Sequence, residues 1–101
     1  MDPTFEFDSE LIPWTNGQGS WVFATLPVDV ADVVRDIVPT KRGFGSVRVR
    51  VRLEEIEWRT SIFPDSSSGS YVLPVKAAVR KKADVDLGDT VRLELDVLIE
   101  D

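Results

Sequence analysis

The sequence predicts a mainly β chain. Six strands close into a small barrel, two short helices cap its ends, and the whole is an internal β-α-β duplication with halves at roughly 4–53 and 56–101. Three observations predict it. First, Gly19-Ser20-Trp21-Val22 returns as Gly69-Ser70-Tyr71-Val72, and Leu26-Pro27-Val28 returns as Leu73-Pro74-Val75. A repeat of half a chain means two similar units that bury their apolar faces against each other. Second, each copy runs through a helix-like segment and past a glycine, Gly45 or Gly88, into alternating apolar and charged residues. Third, the strands alternate throughout, so one face is dry and one wet, and closing such a sheet on itself removes its edges.

Each element follows from local chemistry. Thr4 to Trp14 reads as a strand, with Phe5, Phe7 and Leu11 on one face and Glu6, Asp8 and Glu10 on the other. Asn16-Gly17-Gln18-Gly19 is a turn by composition. Ser20 to Leu26 is a second strand, rich in aromatic and β-branched residues. Pro27 breaks the ladder and suits a helix start. The helix runs from Val28 to Val38, with Val30, Val33, Val34 and Ile37 as its buried stripe and Asp29, Asp32 and Asp36 on its wet face. Pro39 to Gly45 is a basic loop. Val47, Val49, Val51 and Leu53 then alternate with Arg48, Arg50 and Arg52. Glu54-Glu55 tips a hairpin into Ile56 to Phe63. Neither residue favours positive φ, which leaves a longer turn or a bulge open. Pro64 to Gly69 is a polar loop, and Ser70 to Leu73 is a strand. Pro74 precedes a helix from Val75 to about Ala83. A turn around Gly88 leads into the last strand, Thr90 to Ile99, with Val91, Leu93, Leu95 and Val97 on one face.

Composition bounds the function. A chain of 101 residues is one domain by size. No apolar run nears the ~20 residues that span a bilayer, and the acidic N-terminus lacks a signal-peptide layout. Cysteine and histidine are both absent. That removes thiolate chemistry, the commonest general base and the commonest zinc ligand. The expectation is a cytoplasmic monomer with no cofactor and no membrane partner. The net charge of −6 argues against nucleic acid as a partner. Nine of the 12 basic residues nevertheless fall in two clusters, Lys41, Arg42, Arg48, Arg50 and Arg52, then Lys76, Arg80, Lys81 and Lys82. A local anion site therefore stays open.

Several stretches together resemble a known family. They are Trp21 to Pro27, Trp58-Arg59-Thr60-Ser61-Ile62-Phe63-Pro64, Gly69 to Val75, and Arg80 to Gly88-Asp89-Thr90-Val91. They resemble the bacterial domain of unknown function 1905 family over nearly the whole chain. The resemblance implies a split β-barrel capped by helices, with no established activity. Some members carry a second domain associated with bacteriocin protection, which has no counterpart in these residues. Many relatives place a glycine in the hairpin where this chain has Glu54-Glu55. A weaker similarity runs through Leu73-Pro74, Arg80 and Gly88-Asp89-Thr90-Val91 to the swapped-hairpin motif of AbrB-type and antitoxin-type DNA-binding proteins. Fold kinship of that kind does not transfer function.

The candidate chemistry has bland readings beside it. Arg48, Arg50 and Arg52 share one strand face and would form an anion-binding stripe at roughly 6.5–7 Å spacing. The alternative is cross-strand pairing with Glu6, Asp8 and Glu10, or with Glu94 and Asp96. Arg80 matches the family's recurring arginine and would hold a carbonyl, a carboxylate or a ligand. In Trp58-Arg59-Thr60-Ser61, alternation turns Trp58 and Thr60 away from Arg59 and Ser61, so they are not expected to share one pocket. Ser61 has no histidine to activate it, which excludes a Ser-His-Asp triad. Trp14, Trp21 and Tyr71 form either an aromatic ligand surface or core filling, and the equivalent repeat positions of Trp21 and Tyr71 favour core. Asp84, Asp86 and Asp89 read as turn and cap residues, because the glycine and terminal glutamate of an EF-hand are missing.

The expected function is a non-enzymatic binding or interaction module. The alternatives are an AbrB-like nucleic-acid binder and a small-molecule barrel, with an enzymatic role at its mouth left open. The expected ligand residues are Lys41, Arg42 and Phe44 in the basic loop with Lys76 and Arg80 on the second helix, and the occupant an anionic small molecule or an acidic protein segment.

Overall fold

The structure is a computed structural model and describes residues 4–15, 20–38 and 45–98. Alternation organises it. In β3 (Val47–Leu53), the valines and Leu53 are buried while Arg48 and Arg52 are exposed. β6 (Thr90–Val97) repeats the pattern with Val91, Leu93, Leu95 and Val97. The two strands pair antiparallel, with Val49 opposite Val97 and Val51 opposite Leu95. Matching faces across a ladder put the apolar set on one side, and a slip of one residue would turn all of it out.

Two long strands close the barrel by each serving two neighbours. The first part of β1 (Thr4–Thr15) pairs with β6 from Thr4 to Glu10, and its second part pairs with β2 (Ser20–Thr25) from Leu11 onward. Likewise β4 (Ile56–Asp65) pairs with β3 from Ile56 to Ile62, then with β5 (Ser70–Pro74) from Phe63. β2 and β5 pair across the remaining seam. The result is a closed, fully antiparallel barrel in the order β1-β2-β5-β4-β3-β6, the mainly β architecture expected. Leu11, Val49, Val51, Ile62, Leu73, Leu93 and Leu95 fill its interior and are fully buried.

The helices follow the two strands at that last seam. α1 (Val28–Ile37) leaves β2 after Pro27, and α2 (Ala77–Ala83) follows β5 after Pro74. Because β2 and β5 are antiparallel, the two helices depart from opposite rims. The buried line of α1 is Ala31 and Val34, flanked by Val30 and Ile37, while Val33 is exposed. At 100° per residue a stripe centred between Val34 and Ala31 leaves Val33 on its far side, which corrects the expected stripe. α2 starts later than Val75 because the Val75 N–H still donates to the Val22 carbonyl at 2.9 Å in strand fashion.

The Glu54-Glu55 tip also settles differently from the longer alternatives. Leu53 lies opposite Ile56, so the turn has two residues, and Glu54 adopts φ 55°. α2 ends on Asp84 at φ 57°, with the Val85 N–H donating to the Arg80 carbonyl at 3.0 Å and the Asp84 N–H to the Lys81 carbonyl at 3.3 Å. This pair of bonds is a Schellman cap. No helix among the described residues is long and apolar enough to cross a membrane.

Candidate functional site

The divided loyalty of β4 creates the site. β4 meets β5 only over Phe63–Asp65, and β5 ends at Pro74, where the chain turns towards α2. Upstream, the edge of β4 at Trp58–Thr60 pairs with β3 on one side and, among the described residues, has no strand on the other. The gap between that edge and the β5–α2 junction is an open cleft of about 410 Å³. Val22, Pro74, Val75 and Ala77 supply aliphatic wall, Trp58 and Trp21 supply two indoles, and Thr60 supplies a hydroxyl. Among the described residues, the charged groups on its lining are Arg59, Lys76 and Arg80, with no carboxylate. The sign of this lining is opposite to the chain's net charge of −6.

These cations differ in how they are held. The Arg80 side chain is 23% exposed; its Nε donates to the Val75 carbonyl at 3.2 Å, and its Nη1 lies 3.7 Å from Oδ1 of Asp86, which is itself 80% exposed. Arg80 therefore ties α2 to the end of β5 and stays in one place at the cleft wall. Arg59 and Lys76 are exposed, and among the described residues neither has an ion-pair partner. Arg80, already held by the Val75 carbonyl, can receive an anion at little ordering cost, whereas Arg59 and Lys76 become ordered on binding.

Alternation suggested that Trp58 and Thr60 would not share a pocket with Arg59. All three border this one, and Ser61 does not. Trp58 and Thr60 face inward with Val51 and Val49 across the ladder, and Arg59 stands opposite Arg50 on the outer face. An edge that lacks a neighbouring strand is reachable from both of its faces, so the period-two rule does not separate them there. Trp21 is also a correction: it is 52% exposed at the rim, whereas Tyr71 is buried. The cause is visible in the chain. Three residues separate Val22 from Leu26, and Val72 abuts Leu73 directly. An odd offset between the two strings turns the aromatic to the other face. Of the expected loop ligands, Lys41, Arg42 and Phe44 lie outside the described residues, as does the Trp14 side chain.

The arginines of β3 are occupied differently. Arg50 Nε and Nη2 donate to one oxygen of Asp96 at 3.0 and 2.9 Å, directly across the ladder. Arg52 bridges Glu94 at 3.1 Å and Glu57 at 2.9 Å, one on each neighbouring strand. Its pKa is raised, first by the hydrogen bond to Glu57 and then by the charge of Glu94. Asp96 lies below the ordinary carboxylate range because the Thr4 hydroxyl donates to it at 2.6 Å and Arg50 assists, against an opposing cost of burial. Arg48 is exposed and makes no such pair among the described residues. Asp86 and Asp89 bind the turn before β6, the Asp86 N–H donating to Asp89 Oδ2 at 2.8 Å.

Two other cavities lack the one-sided charge. One, beside the Glu54 turn, mixes Glu6, Glu54 and Glu94 with Arg52 and Arg92. The other lies on the outside of β1, β2, β4 and β5, among Ile12, Phe23 and Val72, with Asp65 as its charged group.

The sequence profile of a family described as a domain of unknown function (DUF1905) matches residues 7–95. The chain belongs to that family. No curated protein matches it. The matched span of this DUF1905 domain contains every residue of the cleft, from Trp21 to Arg80, and the family description assigns no activity. The fold and the cleft therefore carry the functional argument.

Proposed function

We propose that this chain is a non-enzymatic binding module and that its site is the cleft between the open edge of β4 and α2, taking a ligand with negative charge. The observation that carries this is the lining, which among the described residues has Arg59, Lys76 and Arg80 and no acid, in an acidic chain. A cleft of one sign concentrates counter-ions of the other. Binding is favoured over catalysis because, among the described residues of the lining, the one hydroxyl, that of Thr60, has no carboxylate or imidazole beside it to take its proton. A phosphate track along β3 has less support, since Arg50 and Arg52 are already neutralised by Asp96, Glu94 and Glu57.

We also propose that the barrel is a duplicated β-β-α-β unit. Its neighbour order is unchanged when β1, β2 and β3 exchange places with β4, β5 and β6. On this reading the gap beside α1 should mirror the cleft. It is bridged instead by Ser9, whose Oγ donates to the Thr25 carbonyl at 2.9 Å, so the two halves have diverged at the site.

The test is a thermal-shift screen of anionic metabolites against the native chain and an Arg59→Gln/Lys76→Gln variant. Both residues are exposed, so the variant should fold normally. Some anions should raise the melting temperature of the native chain and not of the variant. Stabilisation that survives in the variant, or none at all in the native chain, would refute the site.

A further inference from the structure

We infer that the occupant of this cleft is a small planar aromatic anion, one ring or a fused pair bearing a carboxylate or similar acidic group. The inference rests on the binding reading above and adds the class of ligand. Two indoles and a proline ring form flat apolar surface in the same cleft as the three cations: Trp58 and Trp21 with Pro74 between them, on β4, β2 and β5. Each half of that lining excludes a simpler ligand. A purely apolar ligand would strip water from Arg59 and Lys76, which have no ion-pair partner among the described residues, and an unpaired desolvated cation is costly. A bare inorganic anion would satisfy the cations and leave both indoles wet, gaining nothing from them. A planar ring stacked on tryptophan, with its acidic group at the cationic rim, uses both.

The remaining features agree in size and polarity. A volume of about 410 Å³ lies toward the small end of the range for small-molecule sites. The polar groups within reach are few: the Thr60 hydroxyl and the backbone groups on the open edge of β4, which β5 does not pair. A few fixed polar groups on an apolar cleft orient a small ligand. Trp21 and Arg80 mark the two ends of the preference, since Trp21 is exposed at the rim with its ring held parallel to that of Phe23 at 6.4 Å between centroids, while Arg80 is held by the Val75 carbonyl.

The experiment titrates the native chain by calorimetry and tryptophan fluorescence with five probes: 2-naphthoate, its neutral amide, acetate, inorganic phosphate and a glutamate-rich peptide. The expected result is that 2-naphthoate quenches the fluorescence and binds at least tenfold more tightly than each of the others. Trp21→Ala, a rim change that should leave the core intact, is expected to weaken naphthoate about tenfold and to leave acetate unchanged. Arg59→Gln/Lys76→Gln should bring naphthoate down to the level of the amide. If acetate or phosphate binds as tightly as naphthoate, the aromatic class is wrong and the anion site stands. Equal binding of the amide would remove the charge requirement. If a glutamate-rich peptide binds and naphthoate does not, the occupant is a protein segment and the inference fails while the binding reading survives. Failure of every anion overturns both.

Discussion

Glu54 is held at φ 55°, in the left-handed region where a side chain crowds the following carbonyl. The strain is imposed by register, because Leu53 must face Ile56 to keep the β3 valines and Ile62 in the core. Glu54→Gly removes the crowding and adds some unfolded-state entropy, so the net expected effect is a stabilisation of about 0.5–1 kcal/mol. Urea unfolding of the two proteins measures it, and a loss of stability would show that the Glu54 side chain contributes more than its backbone costs. Asp96 sets a pH dependence. Its folded pKa is lowered from 3.8 by the Thr4 hydroxyl first and by Arg50 after it. Its stabilisation is therefore complete above the unfolded value and is lost as pH falls through the lowered folded one. Asp96→Asn should cost about 1 kcal/mol near neutral pH and flatten the acid limb of the stability curve below about pH 4. An acid limb of unchanged steepness would assign it to other carboxylates. The alternation at these positions was legible from the chain. The partners were not, because register decides whether Arg50 meets Asp96 or another acid on the same face.

At the scale of elements, the seam between β2 and β5 is short, with three register pairs from Phe23 to Thr25, as many as β4 makes with β5. It is extended by side chain and backbone. Ser70 is the one buried polar residue among those described, and its Oγ donates to the Leu26 carbonyl at 2.7 Å. The Leu26 N–H donates to the Tyr71 carbonyl at 3.0 Å, and the Val75 N–H to Val22 at 2.9 Å. α1 adds Arg35, which pairs with Asp32 at 2.8 Å, donates to the Gly69 carbonyl and lies 5.6 Å from the Tyr71 ring centroid. Ser70→Ala is expected to destabilise by about 1–2 kcal/mol, because the Leu26 carbonyl loses a partner in a buried site. A cost below ~0.5 kcal/mol, from chemical denaturation, would mean that water replaces the hydroxyl. Proline told where both helices would follow, yet it misplaced the start of α2. A proline breaks a ladder at its own nitrogen, and the residue after it is free to make one more strand bond, as Val75 does. The cleft was hidden for the same kind of reason. Periodicity describes the faces of a strand, while the site lies along an edge, and which edge lacks a neighbour is a property of the topology.

At the scale of the whole molecule, the two halves cannot be separated without opening the barrel. Four of the six seams, β2–β5, β3–β4, β3–β6 and β1–β6, join one half to the other. Within the first half only β1 and β2 pair, and within the second only β4 and β5. β3 and β6, which carry the densest run of buried valines and leucines, have no partner inside their own half. An isolated two-stranded hairpin is marginal in water, so neither half holds its core alone. Cutting the chain at the strained Glu54-Glu55 turn tests this directly. The fragments 1–54 and 55–101 should each lack a cooperative thermal transition as monomers, and an equimolar mixture should regain one together with the native tryptophan fluorescence. Refolding should be second order in fragment concentration, because the long-range seams form only between partners. If a fragment instead pairs with a second copy of itself and melts cooperatively, the swapped symmetry of the neighbour order is sufficient to close a barrel from one unit. That would support the duplication. A fragment that folds cooperatively as a monomer would refute the claim that the cross-half seams hold the structure.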